Sequence, residues 1–439
     1  MPHPILTSGE VGRSAHDGPL WLPEPPCNPW RSLASLDGMD LDADLLNPTD
    51  PSRRFAAMAE LRRNDPVHRI GGSGGPVYLA SRAAVAEALP RIDCFGGGVG
   101  AADVHPDLQA INGITEPRHG RIRRIVNGMI SPHKAAEVRP FLETLCSQRL
   151  DLIDSSGGVP VDAMAEYIDH VPSSAICWLT GWDPEDAIRL YRWTVEVCEK
   201  AMDMKPGNSG TIAEMVPAFG DYVEARVSAR VALEASEWPD DGMARLLSTE
   251  VEGERLSPTA VKTQLLFLLG AGSETSRDMM GLLLYELASD PDLYARVRSD
   301  RSLLSRAIVE ALRLCSPTQF MVRRCVKATE LDGHPIAEGE SVYIGLASAN
   351  RDEAHWSDPS RFDLYRLNAS DHLAFGAGPH VCPGAFLVRL ETRIAFNALF
   401  DRYERIERVG EGPFEPLRTP MFYGPASLPL LFHRASARV

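Results

Sequence analysis

Cys382 carries the chemical potential of this sequence, because it stands in a stretch that cannot form regular structure. Residues 375–384 read F-G-A-G-P-H-V-C-P-G. Three glycines and two prolines around one cysteine exclude both helix and strand. The following A-F-L-V-R-L-E-T-R-I-A-F-N-A-L-F has apolar residues at helical spacing. Cys382 is therefore expected in a tight loop at the start of an apolar helix, with Pro383 in the first helical position. A helix start offers free N–H groups and partial positive charge, so the thiol is expected to ionise more easily there. The thiolate is the metal-binding form. No C-x-x-C partner is present, and a structural zinc wants four ligands. The bland alternative is a buried thiol in a glycine-rich turn.

A second loaded stretch is A-G-S-E-T-S, residues 271–276, in the middle of the longest helical pattern of the chain. Gly272 weakens a helix centre by roughly 0.5–1 kcal/mol relative to alanine, so something should need the space. Thr275 can bond back to the carbonyl of Ala271 and bend the helix locally. A glycine, a threonine and Glu274 together make a groove for dioxygen and a route for protons; the alternative is a capped break between two helices. A lone axial thiolate suits haem iron, to which it donates electron density that favours O–O cleavage.

Residues 375–384 match F-G-x-G-x-[HR]-x-C-x-G, and on that pattern the chain resembles the cytochrome P450 family. A-G-S-E-T matches the family's A-G-x-[DE]-T. Glu310 and Arg313, 72 residues before the cysteine, match its E-x-x-R. Arg361, in D-P-S-R-F-D, matches the third member of a structural Glu-Arg-Arg network that locks the cysteine loop. His119 and Arg123 match H-x-x-x-R, and Arg323 matches a propionate ligand, with Arg324 beside it leaving that choice open.

The resemblance covers about residues 50–435. It implies a mainly α fold with a small β region, the cytochrome P450 fold, and haem b between the long helix and the cysteine loop. Cys382 would be the iron ligand. His119, Arg123, Arg323 and His380 would hold the propionates, and Ala271, Gly272, Phe375, Gly376 and Gly384 would complete the cofactor bed. Thr275 would sit beside bound dioxygen, and Glu274 would exchange protons with solvent on the far side of the helix. The implied activity is that of the soluble bacterial haem-thiolate monooxygenases, acting on a small, largely apolar organic substrate with O2. Nothing in the chain looks like a flavin or nicotinamide domain, so electrons are expected from a ferredoxin and its NAD(P)H-dependent reductase. A peroxide-driven haem oxygenase and a haem-based sensor or carrier are the other readings; neither needs the Glu274–Thr275 pair. S-A-N-R-D, G-A-G-P-H-V-C and G-P-A-S-L-P are similar to bacterial members that act on small aromatic compounds, including O-demethylases; a terpene or natural-product intermediate is equally open.

The rest of the chain must position these residues. With 439 residues, 44% hydrophobic and 24% charged, it can bury a large core. A net charge of −15 makes nucleic acid an unsuitable partner. Eight cysteines without paired spacing indicate a reducing cytoplasm and no disulfide framework. Residues 1–30 are rich in proline and polar residues and read as a flexible segment; residues 31–439 read as one domain, with no membrane anchor. Asp50-Pro51 and Ser81 cap two early helices, and residues 67–79 read as a hairpin. C-F-G-G-G-V-G-A-A-D-V-H-P-D reads as a mobile loop, which the resemblance places over the haem. Arg121 and Arg124 form a basic patch suited to an acidic electron donor. Ser257-Pro258 starts a helix that ends near Asp290-Pro291, roughly 48 Å long at 1.5 Å per residue. The resemblance makes residues 191–219 a helix-loop-helix lid. Turns are expected at Asp332-Gly333 and Glu338-Gly339, and M-F-Y-G-P-A-S-L-P-L-L-F-H reads as a final strand pair whose turn at residues 421–423 points into the pocket.

Overall fold

A computed structural model of the chain describes residues 38–97, 105–202, 212–251 and 253–434. The flexible segment expected at residues 1–30, and the centres of the loop and lid expected at 98–104 and 203–211, lie outside the described residues.

The helix Pro258–Ser289 runs for 32 residues, with both ends where the sequence put them. Ser257 caps it by accepting from the Ala260 N–H, and Pro258 needs no donor in the first turn. Asp290 ends it and caps the next helix, Pro291–Ser299, through the Leu293 N–H. Val261, Leu265, Leu269, Met279, Met280 and Leu283 are fully buried, so this helix is enclosed along its length. It packs against His170–Thr180, Ala187–Met202 and Leu304–Cys315. The helix Ala385–Arg402, which follows the cysteine, packs on Arg139–Ser155 and Leu304–Cys315. One contiguous apolar cluster joins these helices, and a smaller one lies under the larger sheet.

That sheet has five strands in the order Val67–Arg69, Val77–Leu79, Ser341–Ile344, Met321–Cys325, Phe95–Gly96. Only Val77–Leu79 with Ser341–Ile344 is parallel. The hairpin at Asp332-Gly333 is as expected: both residues have positive φ, 48° and 76°, as a two-residue hairpin turn of this hand requires. The final strand pair is corrected. Pro429–Arg434 pairs with Tyr403–Arg408 and with Val161–Asp162, not with a neighbour in its own segment. Local sequence shows a strand but not a partner that lies more than 20 residues upstream.

The Glu-Arg-Arg network is also corrected. Glu310 and Arg313 form a buried pair at 2.8 Å, but the third member is Arg366, whose Nε lies 3.0 Å from Glu310 Oε1. Arg361 stays at the surface beside Asp358 and Asp363 and gives the network only its backbone carbonyl, which accepts from Arg313 and Arg366. The segment between these residues has no periodicity, so sequence spacing could not register it. Among the described residues no helix is long and apolar enough to cross a membrane, and all seven described cysteines are unpaired.

Candidate active site

The loop around Cys382 is held by its own backbone. The Cys382 N–H donates to the Phe375 carbonyl at 2.8 Å and the Gly376 N–H to Leu373 at 2.8 Å. Gly378 has φ 70°, and a Cβ there would meet Pro90 Cα at 2.7 Å, so only glycine fits. The helix begins at Ala385 with Gly384 as its cap, so Pro383 precedes the first helical position and does not occupy it. The N–H groups of Gly384 and Ala385 point at the sulfur and, with Arg123 and Arg389, favour its thiolate. Burial outweighs them and pushes the Cys382 thiol up, not down. The expected easy ionisation is thus absent from the protein alone; a bound cation is what would complete it.

Cys382 opens into a cavity of about 240 Å³, where the same measure needs only about 10–15 Å³ for one water. All the sequence-predicted site residues except Glu274 line it. Phe267, Leu268, Ile176, Ile111 and Leu346 give much of its wall an apolar surface. Ala271, Gly272 and Thr275 come from the long helix, and the Thr275 hydroxyl donates to the Ala271 carbonyl at 2.9 Å, as expected. A Cβ on Gly272 would meet Ile176 Cγ1 at 2.9 Å, so glycine keeps that groove open.

Among the described residues four basic side chains reach the cavity, and no carboxylate lines it. The His119 and His380 rings are in contact, with centroids 4.0 Å apart and planes tilted by 41°. His119 Nδ1 lies 2.9 Å from Glu116, while its buried Nε2 has no hydrogen-bond partner among the described residues. Glu116 lies just before the helix Arg118–Met129, and nothing in the local sequence pattern marked it as the partner of His119. Burial, then His119, Arg323 and Arg123, hold His380 down at about 4. Arg123 donates to the Val381 carbonyl in the cysteine loop and to Asn127. Arg323 is buried in the lining and Arg324 is not, which settles their order toward the cavity; burial lowers Arg323 to about 10.

Glu274 faces elsewhere. It is 4% exposed and covered by the helix Ala187–Met202, from which Cys198 Sγ donates to Glu274 Oε2 at 3.8 Å. Burial, ahead of the charge of Asp278, raises its carboxyl to about 8. Open exchange with solvent is therefore corrected: the acid is sealed, burial favours its protonated form, and it is set beside a buried Asp169–Arg277–Asp278 cluster. The turn at residues 421–423 is corrected as well. It contributes nothing to the cavity lining, and Tyr423 is buried against Phe55 and Phe414.

Comparison with known proteins decides the family. A cytochrome P450 family model matches residues 199–426. Vitamin D(3) 25-hydroxylase of Pseudonocardia autotrophica is 32% identical over 380 residues, covering 84% of this chain and 91% of that protein. The chain belongs to the cytochrome P450 family. Steroid C26-monooxygenase of Mycobacterium tuberculosis is 29% identical over 379 residues, with 86% and 93% covered. Among solved P450 structures, CYP108D1 from Novosphingobium aromaticivorans matches with a TM-score of 0.79 at 25% identity, over 90% of this chain and 99% of that one. The protein is a P450 monooxygenase with the P450 fold, and haem b is the cofactor of its family.

The residues present fit that cofactor. Two propionates would supply the negative charge that Arg123 and Arg323 lack and an acceptor for the orphaned His119 Nε2, and iron would supply the cation that a buried thiolate requires.

Proposed function

We propose that this P450 inserts one oxygen atom from O2 into a C–H bond of a largely apolar organic molecule, with electrons passed from a ferredoxin and its NAD(P)H-dependent reductase. The observation that carries the reading is one cavity that holds a thiol, four nitrogen-bearing basic side chains and a helix groove at Ala271, Gly272 and Thr275, beneath mostly aliphatic walls. Haem supplies the redox chemistry that reduces dioxygen. The chain's own residues do the rest. Cys382 would hold the iron as its thiolate, supported by the N–H groups of Gly384 and Ala385. His119, Arg123, Arg323 and His380 would hold the two propionate carboxylates. The lining helix presents Ala271 and Gly272 without bulk, which leaves room for a diatomic molecule beside Thr275. The Thr275 hydroxyl holds a proton or a water at that point, and Glu274, neutral below about pH 8, is the reservoir that refills it.

Ile111, Ile176, Phe267 and Leu268 offer no charged anchor, so we assign an apolar substrate held by shape. The vitamin D(3) and steroid named in the two relatives favour hydroxylation of such a molecule over demethylation of a small methoxyarene. The unpaired cysteines support a cytoplasmic setting. The test is turnover with a ferredoxin, its reductase and 18O2 on any compound that shifts the haem spectrum. One labelled oxygen per product, dependent on the nicotinamide, is expected. Full turnover on hydrogen peroxide alone, with no gain from the electron partners, would assign the peroxide-driven reading instead.

A further inference from the structure

The helix Pro51–Asn64 carries four arginines, and three have ordinary partners: Arg53 with Asp44 at 2.7 Å, Arg62 with Glu353 at 2.9 Å, and Arg63 with Glu60 at 3.1 Å. Arg54 does not. It is 1% exposed, and Nε, Nη1 and Nη2 are all buried without a hydrogen-bond partner among the described residues. Its Cζ lies 5.6 Å from the Phe55 ring centroid and 5.2 Å from that of Tyr423. Those two rings stand at 89° to each other, so the guanidinium cannot lie flat on both. Ring faces attract the charge but do not accept the N–H groups that radiate in the guanidinium plane. A second buried guanidinium, that of Arg351, sits 3.9 Å over the same Phe55 ring. The titratable groups that act most on Arg54 are Tyr423, Tyr78 and Cys315, all neutral at physiological pH and none a carboxylate. Burial lowers the Arg54 guanidinium only to about 10, so its charge persists at neutral pH.

An uncompensated charge and up to five unsatisfied donors in a protein core are costly. Ordered water would satisfy the donors and leave the charge. We propose that Arg54 forms a buried anion site, distinct from the haem cavity, that takes one small monovalent anion of the halide class. A single negative charge balances a single guanidinium, and a spherical ion accepts from several N–H groups at once. The Tyr78 hydroxyl lies close enough to Arg54 to act on its charge and is a further donor. Sulfate or phosphate would bring a second charge and four oxygens up against the Phe55 and Tyr423 rings. The anion would tie Pro51–Asn64 to the strand Val77–Leu79 and to the segment carrying Tyr423, three parts of the chain that meet only in the fold. The inference is independent of the substrate and electron partner proposed above.

The test uses the holoenzyme at fixed ionic strength, with sodium chloride or bromide replaced by sodium gluconate, whose anion is too large to enter. Wild type should gain about 2 °C or more in unfolding midpoint as chloride rises, and the gain should saturate. Arg54→Met should lose that dependence. Because Arg54→Met could fail to fold, the second arm is wild-type crystals grown in bromide. These should show an anomalous peak within hydrogen-bonding distance of the Arg54 guanidinium. Any one of three results overturns the site: the same wild-type midpoint in gluconate and chloride, an unchanged chloride response in folded Arg54→Met, or water or a carboxylate of the chain in place of bromide at Arg54.

Discussion

Thr275 and Glu274 are adjacent in the chain but point about 100° apart around the helix, so they cannot act at one place. Thr275 opens into the cavity and Glu274 is sealed beneath the helix Ala187–Met202. Thr275→Ala should keep haem, substrate binding and much of the oxygen consumption, and should divert most reducing equivalents to hydrogen peroxide. Tight coupling in that variant would leave the hydroxyl with no role beyond its bond to Ala271. Glu274 makes a different prediction, fixed by sign. A carboxyl raised to about 8 is a proton donor below that pH and loses the role above it. Product formation should fall as pH rises through about 8, and Glu274→Gln should be slow throughout and lack that descending limb. Asp278, Arg277, Cys198 and Glu199 also act on Glu274, so a limb that survives in Glu274→Gln belongs to one of them. The residue types at this site were legible in the sequence, but the burial of Glu274 was not. Its cover comes from Cys198, 76 residues earlier, and no local pattern records that contact.

At the scale of elements, the legible features are those written in consecutive residues. Ser257-Pro258 and Asp290-Pro291 each combine a capping side chain with a proline, and the long helix starts and stops at them. Asp332-Gly333 names its own turn. The third arm of the Glu310 network was missed because Arg361 and Arg366 stand in one irregular stretch, where a carbonyl of one and a guanidinium of the other face the same place. The structure separates them by experiment. Arg366→Met removes one partner of a buried ion pair and should destabilise the protein by about 3–5 kcal/mol, with loss of haem on purification. Arg361→Met leaves the carbonyl in place and should lie within about 0.5 kcal/mol of wild type. Equal effects on thermal unfolding would return Arg361 to the network.

On the scale of the whole molecule, charge is unevenly used. The chain carries −15, yet Arg121, Arg124 and Arg245 line one open surface hollow beside the helix that carries His119 and Arg123. If that face receives an acidic ferredoxin, reversing Arg124 should slow reduction up to about tenfold at low salt and flatten its salt dependence, with substrate binding unchanged. Normal reduction rates at low salt would make the stripe a solvated face only. The roles of the four basic side chains and of the groove at Gly272 and Thr275 all depend on iron being held by one sulfur at Cys382. The most direct measurement is therefore the absorption spectrum of the reduced protein under carbon monoxide. Wild type should show the band of thiolate-ligated haem, and Cys382→Ala should lose it. A Cys382→Ala protein that kept the band would place the ligand on another cysteine and contradict the account at its centre.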